Sequence, residues 1–159
     1  MRKHPMRVAI IGAGSCDAPT RKTAYDVGLL LAKNGYDIVC GGLGGVMEAA
    51  CEGCKAGNGH TLGILPRLDI AEANPFVETP VATGLGNMRN AVVIANGVAA
   101  IAIDGEWGTL SEIALALKSG KKVISIGRWS KLEGVIPVSS AKEAVELVVR
   151  LFPSHTERP

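Results

Sequence analysis

Aromatic side chains are scarce in this sequence, where they make up 4% of 159 residues. Proteins that bind single-stranded nucleic acid need exposed rings on which the bases stack. The net charge is only +2, and the basic residues form no cluster that would follow a phosphate backbone. We therefore expect no nucleic-acid partner.

Long apolar runs are also missing, since none approaches the ~20 residues that a transmembrane helix needs. The charged segment at residues 1–5 leads directly into a predicted strand and not into the apolar region of a signal peptide. We therefore expect no membrane partner and a cytoplasmic location.

The chain has four cysteines, which fit reduced thiols in the cytoplasm. Cys51 and Cys54 form an isolated C-x-x-C motif within a helical pattern, so that both lie on one helix face. A metal site normally needs two more ligands, and His60 alone is near in the sequence. We interpret the motif as a pair of core thiols and expect no metal site. Cys16 lies in a predicted ligand loop and is the candidate reactive thiol.

Glycine is abundant, with 20 residues, and 47% of the chain is hydrophobic. We predict a single domain over residues 1–152, followed by a C-terminal tail at 153–159. Predicted strands at 7–11, 36–40, 60–65, 77–82, 98–103, 122–126 and 135–138 alternate with helices at 20–34, 46–55, 91–96 and 113–118 and a final helix after 139–140. This alternation predicts an α/β fold, a doubly wound and mostly parallel sheet with helices on both faces.

Glycine-rich loops follow several predicted strands, and ligands of such folds bind at the carboxyl ends of the strands. The first loop contains G-x-G but lacks the third glycine of the dinucleotide fingerprint, which disfavours NAD binding. The second loop has four glycines in five residues, more than a tight turn needs, which favours a phosphate cradle. The predicted phosphate-binding residues of three loops are Gly12, Gly14 and Ser15; Gly41, Gly42, Gly44 and Gly45; and Gly105, Gly108 and Thr109.

The stretch at 104–112 lies between an apolar strand and an apolar helix. Such a turn offers free backbone N–H groups and the positive end of a helix dipole, which favour an anion. Thr109 and Glu112 have the spacing of a capping box, which we favour on spacing alone over a role of Glu112 as acid, base or ribose contact. Asp104 and Glu106 add two negative charges beside the expected phosphate. They fit there only if one takes a metal or contacts a sugar or an amine.

Arg89 follows a further glycine loop at 83–88 and lies in the first turn of a predicted helix, with Asn87 as its predicted N-cap. A cation in this position is unfavourable unless it faces an anion. We predict that Arg89 binds a phosphate or carboxylate, the alternative being an exposed surface arginine.

A family resemblance rests on the pattern Gly42-x-x-Gly45-x-Met47-x-Ala49 with Gly108-Thr109-x-x-Glu112. These residues resemble the LOG superfamily, often mislabelled lysine decarboxylase. The segments at 83–90 and 108–118 are most similar to its branch of predicted Rossmann-fold nucleotide-binding proteins and molybdenum cofactor carrier proteins. The resemblance covers roughly residues 6–127. It implies a Rossmann-like fold and a homo-oligomer, a dimer or tetramer.

Cytokinin-activating members of this superfamily cleave the N-glycosidic bond of nucleoside 5′-monophosphates, and their arginine and glutamate match Arg89 and Glu112. Two departures weaken a hydrolase role here. The family's phosphate loop P-G-G-x-G-T is replaced by D-G-E-W-G-T at 104–109, and the lysine after its arginine is replaced by Asn90. A decarboxylase is disfavoured because no Schiff-base lysine with a pyridine-nitrogen partner is identifiable.

Our first functional hypothesis is a carrier or sensor that binds a phosphorylated small molecule, a nucleotide or the molybdenum cofactor. Backbone N–H groups of the glycine loops, Arg89 and Glu112 would form its site. The alternative is a nucleoside 5′-monophosphate phosphoribohydrolase in which Glu112 and Arg89 are the catalytic residues.

Overall fold

The computed structural model describes residues 5–154 and contains a seven-stranded sheet in the order β4-β3-β2-β1-β5-β6-β7. Every neighbouring pair of strands is parallel. The strands are β1 (Arg7–Gly12), β2 (Asp37–Cys40), β3 (Thr61–Leu65), β4 (Thr79–Ala82), β5 (Ala100–Ile103), β6 (Val123–Ile126) and β7 (Val135–Pro137). The predicted mostly parallel α/β sheet is confirmed, and the observed sheet is parallel throughout.

Within residues 5–154, four α-helices connect strands and a fifth follows β7, and together they cover both faces of the sheet. They are α1 (Ala18–Lys33), α2 (Val46–Ala56), α3 (Arg89–Ala95), α4 (Trp107–Lys118) and α5 (Ala141–Leu151). Helices α1, α2 and α5 supply one hydrophobic core, and α3 and α4 supply the other. The fold is therefore doubly wound, as the alternation predicts.

The central strands are apolar on both sides because they lie between these two cores. In β5, Ile101 and Ile103 pack with the first core while Ala100 and Ala102 pack with the second. Consecutive side chains of a strand point to opposite faces of the sheet, which explains the uninterrupted apolar run. Such runs identified the strands in the sequence.

Helix starts agree less well with the sequence. Helix α1 begins after Asp17, whose carboxylate accepts a hydrogen bond from Thr20 N–H at 2.9 Å. Helix α3 begins at Arg89, directly after a 3-10 turn at Gly86–Met88, and its N-cap is Met88. The prediction of Asn87 as the N-cap is therefore wrong, because the 3-10 turn already uses that residue.

Helix α4 begins at Trp107, six residues earlier than predicted, so that Gly108 and Thr109 lie inside its first turn. Its N-cap is Glu106, whose side chain makes no capping hydrogen bond. The predicted capping box is wrong, because Thr109 is not the residue before the helix. The consequence is a longer helix whose first N–H groups have no side-chain cap.

The edge strands β4 and β7 each contain a proline, Pro80 and Pro137. The final helix α5 begins after Ser140, whose hydroxyl oxygen accepts a hydrogen bond from Glu143 N–H at 3.2 Å. Most of the predicted tail lies outside the described residues. None of the helices within residues 5–154 has the length and apolar character that crossing a bilayer requires.

Candidate functional site

A cavity of about 640 Å³ opens at the carboxyl ends of the strands, next to β1 and β5. The chain order reverses between these two strands, since β2 to β4 lie on one side and β5 to β7 on the other. Ligands of open parallel sheets bind at such a reversal, and the volume is in the range of small-molecule sites. The sequence-based expectation that several loops meet at this edge agrees with the cavity.

Nine of the twelve predicted ligand-binding residues line this cavity. They are Gly12, Gly14, Ser15, Gly41, Arg89, Gly105, Gly108, Thr109 and Glu112. The structure does not bring Gly42, Gly44 or Gly45 to the cavity wall. The additional lining residues are Ile10, Ile11, Ala13, Met47, Asn87, Asn90, Asp104, Glu106 and Arg128.

Gly45 shows what the second glycine loop does instead. Its φ of 63° is left-handed, and a Cβ there would overlap the carbonyl oxygen of Ala13. The same carbonyl accepts a hydrogen bond from Val46 N–H at 2.9 Å. Only glycine fits this close approach, so the second loop supports the first loop from behind. A ligand contact from Gly42, Gly44 or Gly45 stays a prediction.

Arg89 is the buried cation of the site, with 9% of its surface exposed. Its Nη2 donates to Gly41 O at 3.4 Å and its Nη1 donates to Asn90 Oδ1. Its buried Nε has no hydrogen-bond partner within residues 5–154, and no carboxylate in this part of the chain forms an ion pair with it. Burial lowers the pKa of Arg89, and the nearby Glu112 opposes this effect. An anion in the cavity would supply the missing countercharge.

Gly41 makes room for this guanidinium. A Cβ at this position would lie 2.6 Å from Arg89 Nη2 and 2.9 Å from Met47 Sδ. Any side chain here would therefore push Arg89 and Met47 apart. Gly41 thus leaves the space that the Arg89 guanidinium occupies.

Glu112 is the buried acid of the site, with 7% of its surface exposed. Burial raises its pKa from 4.5 to about 7, and the attraction of Arg89 opposes the rise. Near neutral pH this carboxyl exchanges a proton readily, a property shared by general acids and bases. Glu112 is therefore, with Arg89, a candidate functional side chain of the cavity wall.

Asp104 joins the loops of the site. Its φ of 48° is left-handed, its Oδ1 accepts Arg128 N–H at 3.0 Å, and its Oδ2 accepts the hydroxyl of Thr20 at 3.3 Å. The carboxylate therefore has protein partners from α1 and from the turn after β6. This explains one of the two negative charges that the sequence placed beside the anion site. The other, on Glu106, lies at the cavity wall.

Sequence reasoning missed Arg128, which lines the cavity from the turn after β6. Its Nη1 donates to Gly105 O at 3.3 Å, and its guanidinium lies 4.8 Å from the ring centre of Trp129. The position of Arg128 in the sequence could have identified it as a cavity residue. It follows β6 closely, and the carboxyl ends of parallel strands lie at one edge of the sheet. No group of three or more potential metal-binding side chains occurs between residues 5 and 154.

The comparisons with known proteins agree with this architecture. Residues 5–151 match the profile of the SLOG cluster4 family. The chain belongs to the SLOG cluster4 family. Over 145 residues it is 41% identical to an Archaeoglobus fulgidus protein, covering 91% of this chain and 95% of that one.

Two solved structures resemble this SLOG cluster4 protein along nearly its whole length. One is described as the molybdenum cofactor binding protein of Rippkaea orientalis, with a TM-score of 0.88, 34% identity and coverage of 94% and 99%. The other is the molybdenum cofactor carrier protein of Chlamydomonas reinhardtii, with a TM-score of 0.85, 27% identity and coverage of 93% and 98%. The resemblance to the molybdenum cofactor carrier branch is thus confirmed.

The exclusion of nucleic acid as a partner class is wrong. Helicobacter pylori DNA processing protein A, described as binding single-stranded DNA, matches this SLOG cluster4 protein with a TM-score of 0.73 and 21% identity, covering 92% and 81%. At this identity the likeness is one of fold alone. This fold also occurs in a DNA-binding protein. A low aromatic content and a small net charge are therefore not sufficient to exclude nucleic acid as a partner.

Proposed function

We propose that this protein binds a phosphorylated, ring-bearing small molecule of the nucleotide or molybdopterin type and acts as its carrier or sensor. The observation that carries the proposal is the buried guanidinium of Arg89 on the cavity wall without an ion pair from residues 5–154. A buried charge that has no ion pair is costly, and a bound anion offsets that cost.

Backbone groups support an anion at the same place. Helix α4 begins at the cavity without a side-chain cap, and Gly108 and Thr109 of its first turn line the wall. The first N–H groups of a helix have no partner within the helix and lie at its positive end. A phosphate can therefore accept hydrogen bonds from α4 while Arg89 supplies the charge.

An exposed aromatic side chain that lies in the sequence between two residues of the cavity wall favours a ring-bearing ligand. Trp107 is 74% exposed and lies between two cavity-lining residues, Glu106 and Gly108. A planar heterocycle stacks favourably on an exposed indole. The structures of the cofactor-binding relatives provide a second reason to name a pterin beside a nucleotide.

The first experiment measures thermal shifts with inorganic pyrophosphate, AMP and GMP, together with mass spectrometry of small molecules released from purified protein. A ligand at about 100 times its Kd stabilises by about 2.7 kcal/mol, which for this chain length raises Tm by about 5–10 °C. We expect this rise in the natural protein and in Arg150→Gln, whose charge lies on α5, but not in Arg89→Gln. The absence of any shift and of any retained phosphorylated compound would contradict the proposal.

A second candidate function, phosphoribohydrolase, is favoured by one observation, the buried carboxyl of Glu112 with a pKa of about 7. Such a group can donate or accept a proton when an N-glycosidic bond breaks. Glu112→Gln separates the two candidates. An enzyme loses base release from AMP or GMP while it still binds the nucleotide, whereas a carrier releases no base before or after the change.

A further inference from the structure

Two buried thiols from different elements lie next to each other behind the cavity. Cys40 ends β2 and Cys51 lies in α2, and their Sγ atoms are 3.6 Å apart. Both side chains are fully buried. The sequence motif pairs Cys51 with Cys54, but the contact found in the structure pairs Cys51 with Cys40.

The Cys40 sulfur adjoins the anion site through the backbone. Gly42 N–H donates to Cys40 Sγ at 3.3 Å, and Gly41, the next residue, lines the cavity. Gly41 O in turn accepts Arg89 Nη2 at 3.4 Å. A movement of the Cys40 sulfur can therefore be transmitted to the Arg89 guanidinium through Gly41.

The two thiols differ in acidity. The hydrogen bond between the two sulfurs lowers the pKa of Cys40, the Gly42 N–H and Arg89 add to this effect, and burial and Glu112 oppose it. The same hydrogen bond raises the pKa of Cys51, and burial raises it further. The directions of the two shifts favour Cys40 as the sulfur of the pair that reacts first.

We propose that Cys40 and Cys51 form a reversible disulfide when the protein meets a peroxide, and that this bond alters the anion site at Gly41 and Arg89. The Cys40 thiolate attacks the peroxide oxygen and becomes a sulfenic acid, and hydroxide leaves. The Cys51 sulfur then attacks the Cys40 sulfur, which releases the hydroxyl group as water and leaves the disulfide. A dithiol reductant returns both thiols.

The geometry gives the size of the effect. A disulfide needs an S–S distance of about 2.05 Å, so the sulfurs must approach each other by about 1.5 Å. This movement draws the end of β2 towards α2 and shifts Gly41 against Arg89. The effect on the anion site rests on the proposed function, while the formation of the disulfide does not.

The test treats the folded protein with hydrogen peroxide, blocks the remaining thiols and maps disulfides by peptide mass spectrometry. The matched variants are Cys51→Ser and Cys54→Ser, which change buried thiols on the same helix. We expect a Cys40–Cys51 peptide in the natural protein and in Cys54→Ser, and its loss in Cys51→Ser. If peroxide yields the crosslink only after the protein is unfolded in urea, the proposed modification site is overturned.

The effect on the site is measured without and with a ligand. Amide hydrogen exchange of residues 41–47 needs no ligand and should change on oxidation and recover with dithiothreitol. Pyrophosphate affinity should fall about tenfold or more in the oxidised protein, because displacements near 1 Å matter at preorganised sites. A crosslinked protein with unchanged exchange overturns the link to the site. Changed exchange in a protein that never binds pyrophosphate overturns the proposed function and supports the switch.

Discussion

Glu112→Gln gives a test of the buried acid that needs no ligand. The pKa of Glu112 rises from 4.5 to about 7 in the folded protein because the carboxyl is buried. Between these values the folded state holds a proton that the unfolded state has released. The stability of the natural protein therefore falls as pH rises through this window, and the penalty is complete only above the folded pKa.

The magnitude follows from the two pKa values. Each pKa unit corresponds to about 1.4 kcal/mol. Between about pH 5 and about pH 8 we expect the natural protein to lose about 2–3 kcal/mol of unfolding free energy relative to Glu112→Gln. Effects of the substitution that do not depend on pH, such as a lost contact, cancel in this difference.

The assay is urea denaturation of both proteins at several pH values across this window. Glu133→Gln, which changes an exposed loop carboxyl, is the control and should keep a constant offset from the natural protein. A constant offset between the natural protein and Glu112→Gln would refute the reasoning. It would mean that water or a partner solvates the carboxyl and holds its pKa near the unfolded value.

Three further substitutions test individual contacts by chemical denaturation. Asp104→Ala should cost about 1–3 kcal/mol because it removes the hydrogen bonds from Thr20 and Arg128, whereas Asp104→Asn, which keeps one acceptor oxygen, should cost less. Equal costs would argue against the bridging role. Gly45→Ala should cost about 2 kcal/mol or more, because it combines a left-handed φ with an overlap. Gly14→Ala, whose Cβ would meet nothing within 4 Å, should stay within about 0.5 kcal/mol, and similar losses for both would contradict the close approach. Arg89→Gln should weaken pyrophosphate binding about tenfold or more in equilibrium titrations, with unchanged affinity as the contrary result.

The sheet was predictable because buried parallel strands form short apolar runs that glycine loops interrupt. The β5 run with its alternating contacts to two cores is the clearest case. Helix starts were less predictable where no side chain caps the helix. Glu106 precedes α4 without a capping hydrogen bond, so that the sequence offered Thr109 as a better cap than the one the protein uses.

Most of the cavity residues could be chosen from the sequence because loops after parallel strands meet at one edge. What spacing cannot supply is the depth of a side chain or its neighbours from distant elements. The burial that raises the pKa of Glu112 exists only in the folded chain, where α4, which carries this residue, packs against α3. The Cys40–Cys51 contact likewise joins β2 to α2, and the C-x-x-C motif at Cys51 and Cys54, whose thiols are buried as predicted, gives no sign of it.

The prolines of the two edge strands have a consequence for the behaviour of this protein at high concentration. Val138 N–H donates to Ser125 O, and since successive N–H positions along a strand alternate in direction, the nitrogen of Pro137 faces away from the sheet. A strand arriving at this edge meets a position that cannot donate, and Pro80 gives the opposite edge a strand position without an N–H as well. Both edges of the sheet are thus poor templates for the addition of further strands in amyloid-like growth, although the strands between them are strongly apolar.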